Sequence, residues 1–379
     1  MNITMNRAEL LHAVKRAAAV APANSPLEAL KGVLLEVSAA SKSLVLTATN
    51  LEVTLKQKLA CAAPEDDALA IDAKLLAGML EKLPGDTVEL RREPGGRLKI
   101  WSGDAQYNVS VWERSGYPEV EIPAVTNLIR ISGIPSMAKR TIFAADENNE
   151  KPMLKCVQFR ITQDGLRAAG SDGNCIVTAR GDDKSTGDFN VLIPAPSLSR
   201  LAQMCEDKDE FRAGTNGKNI VFVREGFLFS ARLIQEKYID TDFLTSSLKN
   251  QFTVLTDVAE LRKSLDSVSC VEPDGKARLT FEGMTLSFQC GGVHGSARDT
   301  ISVAPLTGMP HGEYWFFTKR LTNCLRSLSG TAKLGIAAGG ILTLDTEHAF
   351  YMQTGVRPGA PRSVPKKAAK KPAAGKKAA

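Results

Sequence analysis

One apolar stripe occurs three times in this chain at a nearly constant spacing. Leu76, Met79 and Leu83 stand at i, i+3 and i+7; Leu198, Leu201 and Cys205 repeat the pattern 122 residues later, and Leu321, Cys324 and Leu328 a further 123 on. That spacing gives each of three helices one apolar face, enough to lie on a sheet. Each follows a short apolar strand (LAID, VLIP, YWFF) and precedes a strand pair such as RLKIWSGDAQYNVSV or NIVFVREGFLFSARLI. A repeat of this size exceeds the ~20–50 residues of a solenoid unit, so each copy reads as a full domain with its own core.

Further echoes fall in the same frame. LLEVSAASKSLVLTATNLEVTLKQ (34–57) and VQFRITQDGLRAAGSDGNCIVTAR (157–180) share one plan: strand, polar turn, strand, tight Thr-Asn or Asp-Gly turn, strand. RLTFEGMTLSFQCGGVHGSARDTI (278–301) is a weaker third copy. An earlier helix opens each repeat: NRAELLHAVKRAAAV (6–20), ISGIPSMAKRTIFAA (131–145) and DVAELRKSLDSVSCV (257–271). Asp257 with Glu260 has capping-box spacing at the start of the third. These helices carry dibasic pairs in nearly the same register, Lys15-Arg16, Lys139-Arg140 and Arg262-Lys263, as if corresponding helices present positive charge to a common target. The fold class is therefore α+β: three repeated domains, each with two helices packed on antiparallel sheet. They are expected at 1–123, 127–246 and 251–357, followed by a basic tail at 358–379.

Charge is unevenly distributed. The formal net charge is +6, yet Arg357–Ala379 holds eight Lys or Arg and no acid, leaving 40 basic against 42 acidic residues before it. The Lys/Ala/Pro/Gly tail lacks the apolar content to fold and reads as a disordered polycation with sequence-independent affinity for phosphate. The seven cysteines are scattered singly without a C-x-x-C pair, which argues for buried thiols over disulfides or zinc. No apolar run approaches the ~20 residues that span a bilayer, and the N-terminal stretch lacks a signal peptide's apolar core. A cytoplasmic protein without membrane association is expected.

Catalytic signals are missing. The four histidines (12, 294, 311 and 348) have no metal-ligand spacing. GTNGKN (214–219) lacks phosphate-loop spacing and reads as a hairpin turn, and GGVHGS (291–296) lacks the strand-then-helix context of a dinucleotide site. EDKDE (206–210) reads as a solvated turn. No catalytic residue, metal or cofactor is expected, and the chain is not expected to be an enzyme.

In their order and spacing these segments resemble the bacterial DNA sliding clamp family, the beta subunit of the replicative DNA polymerase. FAADENNEKPMLKCVQFRITQDGLRAAGSDGNCIVTAR (143–180) is similar to that family's second domain, ATNLEVTL (48–55) to its Ala-Thr-Asp-Leu-Glu, and LIQEKYIDTDFL (233–244) sits at its Gly-x-Phe-Pro-x-Tyr segment. The resemblance covers roughly residues 1–357. It implies the DNA clamp fold, a ring-forming head-to-tail homodimer that encircles double-stranded DNA without sequence specificity. It also implies a processivity function, tethering DNA polymerase and clamp-loader subunits through short linear peptides. The alternative is a divergent paralogue acting as a DNA-bound or replisome-interaction scaffold.

Carried over by position, the resemblance makes Lys15, Arg16, Lys74, Lys139, Arg140, Asn148, Arg200, Arg262, Lys263, Lys319 and Arg320 DNA-facing. It assigns a partner-peptide pocket to Leu154, Ser171, Gly173, Asn174, Cys175, Ile176, Ile239, Phe243, Leu244, Ile341, Met352, Thr354, Gly355 and Val356. Departures are evident: Asn174-Cys175-Ile176 replace His-Arg-Leu, Ile239 a proline, Phe243 an arginine, and Thr354-Gly355-Val356 Met-Pro-Met. Among DNA-facing positions, Asn24 replaces a frequent arginine, Ala195-Pro196 a basic pair and Pro152-Met153 aromatics. The partner motif is therefore expected to differ from that of well-known clamps. Family members usually end just after Tyr351–Val356, so the basic tail reads as an addition.

Overall fold

The computed structural model describes residues 1–162, 165–181, 189–292 and 295–357. The chain divides into two compact units at Asp242/Phe243. The expected boundary near 123–127 lies inside the first unit, where the first and second repeats share a sheet; the basic tail lies outside the described residues.

Seven helices occur among the described residues: α1 (Arg7–Val20), α2 (Ala73–Lys82), α3 (Ile134–Thr141), α4 (Ala195–Ala202), α5 (Thr241–Ser246), α6 (Val258–Ser269) and α7 (Thr318–Ser327). Apart from α5 they pack in sequential pairs, α1 on α2, α3 on α4 and α6 on α7. The stripe residues account for this packing: Leu76, Met79, Leu83, Leu198, Leu201, Leu321, Cys324 and Leu328 are all buried, while Cys205 is only partly so. Fully burying one such leucine contributes about 1.5–3 kcal/mol, so the stripe outweighs the modest propensities of these short helices.

The strands obey one rule in every repeat. The strand entering the first helix pairs antiparallel with the strand leaving the second: Asn2–Asn6 with Thr87–Glu93, Thr126–Ile131 with Phe211–Thr215, and Asn250–Asp257 with Thr331–Ala337. The three hairpin-linked strands between the helices form the other sheet, Gly32–Ser38, Ser43–Thr49 and Val53–Ala60 in the first repeat and Cys156–Thr162, Gly165–Ser171 and Cys175–Arg180 in the second. The third repeat uses Lys276–Glu282, Thr285–Gly292 and Gly295–Ser302. In the first unit, Phe227–Arg232 pairs with Val53–Ala60, Phe229 opposite Leu55, and welds two repeats into one nine-stranded sheet. Phe211, Phe222, Phe227 and Phe229 are buried close to that seam, with edge-on or tilted ring contacts.

Local chemistry sets the helix limits. Asn6 Oδ1 accepts the Glu9 N–H at 3.0 Å, Asp72 Oδ1 accepts that of Leu75 at 2.7 Å, and Asp257 Oδ1 those of Ala259 and Glu260. Each satisfies N–H groups that a helix start leaves unpaired. The expected helix at 131–145 is shorter, because Thr126–Ile131 is a strand and Gly133, at φ +68°, turns the chain before α3. A 3-10 turn at Ile142–Ala144 completes it.

Candidate nucleic-acid interface and partner surface

The paired helices concentrate positive charge. The six stripe-packed helices carry thirteen Lys or Arg against four Asp or Glu. Since residues 1–356 hold 40 basic and 42 acidic side chains, the remainder of that stretch holds 27 against 38. The paired helices are thus net basic and the rest of residues 1–356 net acidic. Lys15, Lys74, Lys139, Arg262, Lys263 and Lys319 are exposed, and Arg140, Arg200 and Arg320 half-buried. Asn148 is exposed in a turn, its N–H donating to Asp146 Oδ1 at 3.1 Å.

Several of these cations already have protein partners. Lys15 bonds Glu81 across the α1–α2 pair at 2.8 Å, and Lys319 lies 3.8 Å from Asp274. Arg320 stacks over Phe317 at 5.2 Å. Arg200 donates from Nε to the carbonyl of Ala19 at 3.2 Å. It thereby caps the C-terminal turn of α1, which has no basic residue of its own.

Arg16 departs from the sequence expectation. Adjacent helical residues point about 100° apart, so the dibasic pair splits: Lys15 faces outward and Arg16 turns into the seam between the first two repeats. Its guanidinium lies over the Phe227 ring at 5.6 Å, with Arg224 over the same ring at 5.2 Å. Arg224 is held by Asp209. Burial and the neighbouring Arg224 charge lower the Arg16 pKa; burial, Arg16 and Arg224 lower that of His12. Burial pushes the Asp209 carboxyl up, but the Glu206 N–H and Arg224 outweigh it and the net shift is downward. Arg16 thus packs half-buried in the seam between the first two repeats, unlike the exposed Lys15 beside it.

The acidic run at 206–210 is a largely exposed turn, and it also holds the start of α3. Asp207 accepts both the backbone N–H and the hydroxyl of Ser136 on α3, at 2.8 and 2.6 Å, and its carbonyl accepts the Gly133 N–H. Gly133, the residue just before α3, offers no side-chain cap of its own; Asp207 supplies one from beyond the second helix of the repeat. These roles of Asp207, Asp209, Arg224 and Phe227 lack a periodic sequence signal. The local caps at Asn6 and Asp72, like the one at Asp257, carry a local signal, an Asn or Asp immediately before a helix.

The positions assigned to a peptide pocket fall in both units. In the first, the turn at 171–175 is wired by its own side chains: Ser171 Oγ donates to the Cys175 carbonyl at 2.7 Å and accepts the Gly173 N–H at 3.0 Å. Asp172 Oδ1 accepts the N–H groups of Asn174 and Cys175, both at 2.8 Å. Gly173 sits at φ +88° against Leu154, whose Cδ1 lies 3.6 Å from where a Cβ would stand. Leu154, Ser171, Cys175 and Ile176 are buried and Asn174 is exposed. Ile239 packs on the cluster of Cys156, Ala169, Leu192 and Tyr238, which pins the segment leading out of this unit. Arg160 and Arg167 both pair with Asp242 at its end. In the second unit, Phe243 is 67% exposed and Leu244 38%. Met352 is buried there, Ile341, Thr354 and Val356 are half-buried, and Gly355 is exposed. The Val356 N–H donates to the Trp315 carbonyl at 2.8 Å.

Two sheet edges complete the picture. Ala105–Ser110 is one of the two edge strands of a four-stranded sheet in the first unit, and Gly295–Ser302 one of the two in a four-stranded sheet of the second. Among the described residues no helix is long and apolar enough to cross a membrane.

Comparison with known proteins gives a consistent result. Residues 1–121 match the family described as DNA polymerase III beta subunit, N-terminal domain, and residues 130–240 its central domain. The beta sliding clamp of Chlamydia pneumoniae is 24% identical over 258 residues, 66% of this chain and 69% of that protein. That of Bacillus subtilis is 23% identical over 214 residues, 55% of this chain and 56% of the relative's own length. Among solved structures, the DNA polymerase III subunit beta of Pseudomonas aeruginosa superposes with TM-score 0.84 at 21% identity, covering 94% of this chain and all of that one. The beta subunit of Thermotoga maritima gives 0.85 at 18% identity with the same coverage.

Proposed function

The chain belongs to the DNA polymerase III beta subunit family, and from that premise we propose that it is a sliding clamp: a non-catalytic ring that encircles duplex DNA and tethers other proteins to it. The observation that supports this most directly is the charge partition. Thirteen basic against four acidic residues on six helices, in a body that is otherwise acidic, is the distribution expected of a surface that meets phosphate of any sequence. Such contacts release counterions without reading bases, so a ring held by them slides.

Lys74, Lys139, Arg262 and Lys263 are the proposed principal phosphate-facing residues, because they are exposed on the paired helices and outside the seam that occupies Arg16. Ring closure uses the edges at Ala105–Ser110 and Gly295–Ser302 of successive copies, each completing a sheet that would otherwise offer unpaired N–H and C=O groups. Partner peptides dock around the 171–176 turn with Leu154 and Ile239 in the first unit; in the second unit Phe243, Leu244 and the residues that follow the strand Ala349–Gln353 are candidate contacts. A cytoplasmic location follows from this role.

The decisive experiment compares retention on circular and linearised DNA. A threaded ring stays on the circle and runs off free ends; equal retention on both would mean charge binding without encirclement and would overturn the proposal.

A further inference from the structure

The turn at 49–53 has the same wiring as the turn at 171–175. Thr49 Oγ1 donates to the Val53 carbonyl at 2.9 Å and accepts the Leu51 N–H at 3.0 Å, while Asn50 Oδ1 accepts the N–H groups of Glu52 and Val53. A third copy stands at 215–219, with Thr215, Asn216, Gly217 and Asn219 in the same places. In all three the residue after the Asn or Asp is left-handed: Gly173 at φ +88°, Gly217 at +84°, and Leu51 at +72°.

Two copies therefore use glycine where the backbone asks for it, and one uses leucine. A left-handed leucine is costly, because its Cβ crowds the following carbonyl. The cost brings no burial in return, since Leu51 is 65% exposed. Strain of this kind, with two relaxed copies in the same molecule as controls, points to a use for the side chain outside the fold.

What Leu51 faces indicates the use. It lines a cleft of about 400 Å³ with Ile122, Pro123 and Ala124 of the connection between the first two repeats, and with Thr54 and Ser230. Its two charged lining residues are both carboxylates, Glu52 and Glu121. Ile122 is itself 39% exposed. The volume falls within the ~300–1,000 Å³ usual for ligand clefts, and its wall is mainly polar, with Asn216 and Asn219 of the third turn beside the two carboxylates.

We propose that this cleft is a second docking site, for a short peptide of a partner protein that carries a lysine or arginine beside an apolar residue. The apolar side chain rests on Leu51 and Ile122, and the cation meets Glu52 and Glu121. The site lies wholly in the first unit and does not depend on ring closure or on DNA.

The test pans a phage-displayed random heptapeptide library on the full-length protein. Enriched peptides are then titrated by fluorescence polarisation against wild type, Leu51→Gly, Leu51→Asn and the double variant Glu52→Gln/Glu121→Gln. The expected result is a basic-apolar consensus whose affinity falls about tenfold or more in the double variant and in both Leu51 variants. Leu51→Gly should at the same time melt no lower than wild type, because glycine relieves the backbone. Absence of such a consensus, equal binding to all variants, or a lowered melting temperature with binding intact would each overturn the proposal. A peptide matching the chain's own Lys-rich 358–379 segment but no partner-type sequence would also count against it.

Discussion

Ser136 at the start of α3 gives both its backbone N–H and its hydroxyl to Asp207, which lies 71 residues further along the chain. The other first helices are capped by the residue immediately before them; this one is closed by a loop that follows the second helix of its repeat. The bond therefore ties the two ends of the helical layer together.

Replacing Asp207 by Ala should destabilise the first unit by about 1 kcal/mol, within the ~0.5–2 kcal/mol typical of a lost cap. Urea unfolding measures this directly. Asp207→Asn, which keeps an acceptor, should recover most of the loss.

The phosphate-facing set separates from the packing set by salt dependence. Lys74, Lys139, Arg262 and Lys263 changed together to Ala should flatten the plot of log affinity against log salt by up to roughly 3.6, about 0.9 per engaged phosphate. Arg16→Ala should leave that slope nearly unchanged and instead lower stability by about 1 kcal/mol, through its lost stacking on Phe227. Equal slope changes for Arg16 and Lys139 would return Arg16 to the DNA-facing group.

Acid stability carries a sign that follows from Asp209. Its folded pKa is lowered, with the Glu206 N–H and Arg224 outweighing burial, so the unfolded chain takes up the proton first. The stabilisation is complete above the unfolded value of about 3.9 and is lost as pH falls through the folded one. Asp67, held by the N-terminal amine and Arg92 against burial, works in the same direction. Asp209→Asn should flatten the rise in urea midpoint between about pH 2 and 4 while lowering it at neutral pH.

Removing residues 358–379 should reduce the salt slope of DNA binding by up to roughly 0.9 per engaged lysine and leave thermal unfolding unchanged. An unaltered slope would take the tail out of the DNA interaction.

Phe243, 67% exposed where the resemblance expects an arginine, should tolerate Ala without loss of melting temperature yet weaken partner-peptide binding. A standard clamp-binding peptide is expected to bind weakly to the wild type, and tight binding in fluorescence polarisation would show that the altered residues leave specificity intact.

Much of this was legible in the sequence because it is periodic or local. The stripe Leu76, Met79, Leu83 and its two copies specified paired helices on sheets, and short turns such as Ser171-Asp172-Gly173 carried their wiring in adjacent residues. Charge totals alone separated the basic tail from the body. Tertiary structure decided what depends on direction across the chain. It turned Arg16 inward to stack on Phe227 while Lys15 stayed outward, recruited Asp207 to a helix 71 residues away, and set an exposed leucine in the left-handed place where two sister turns use glycine. A sequence pattern fixes which face of a helix is apolar, since the helical period is a property of the backbone. Which polar side chain meets which partner depends on how strands from different repeats are brought into register, and no period in the sequence encodes that.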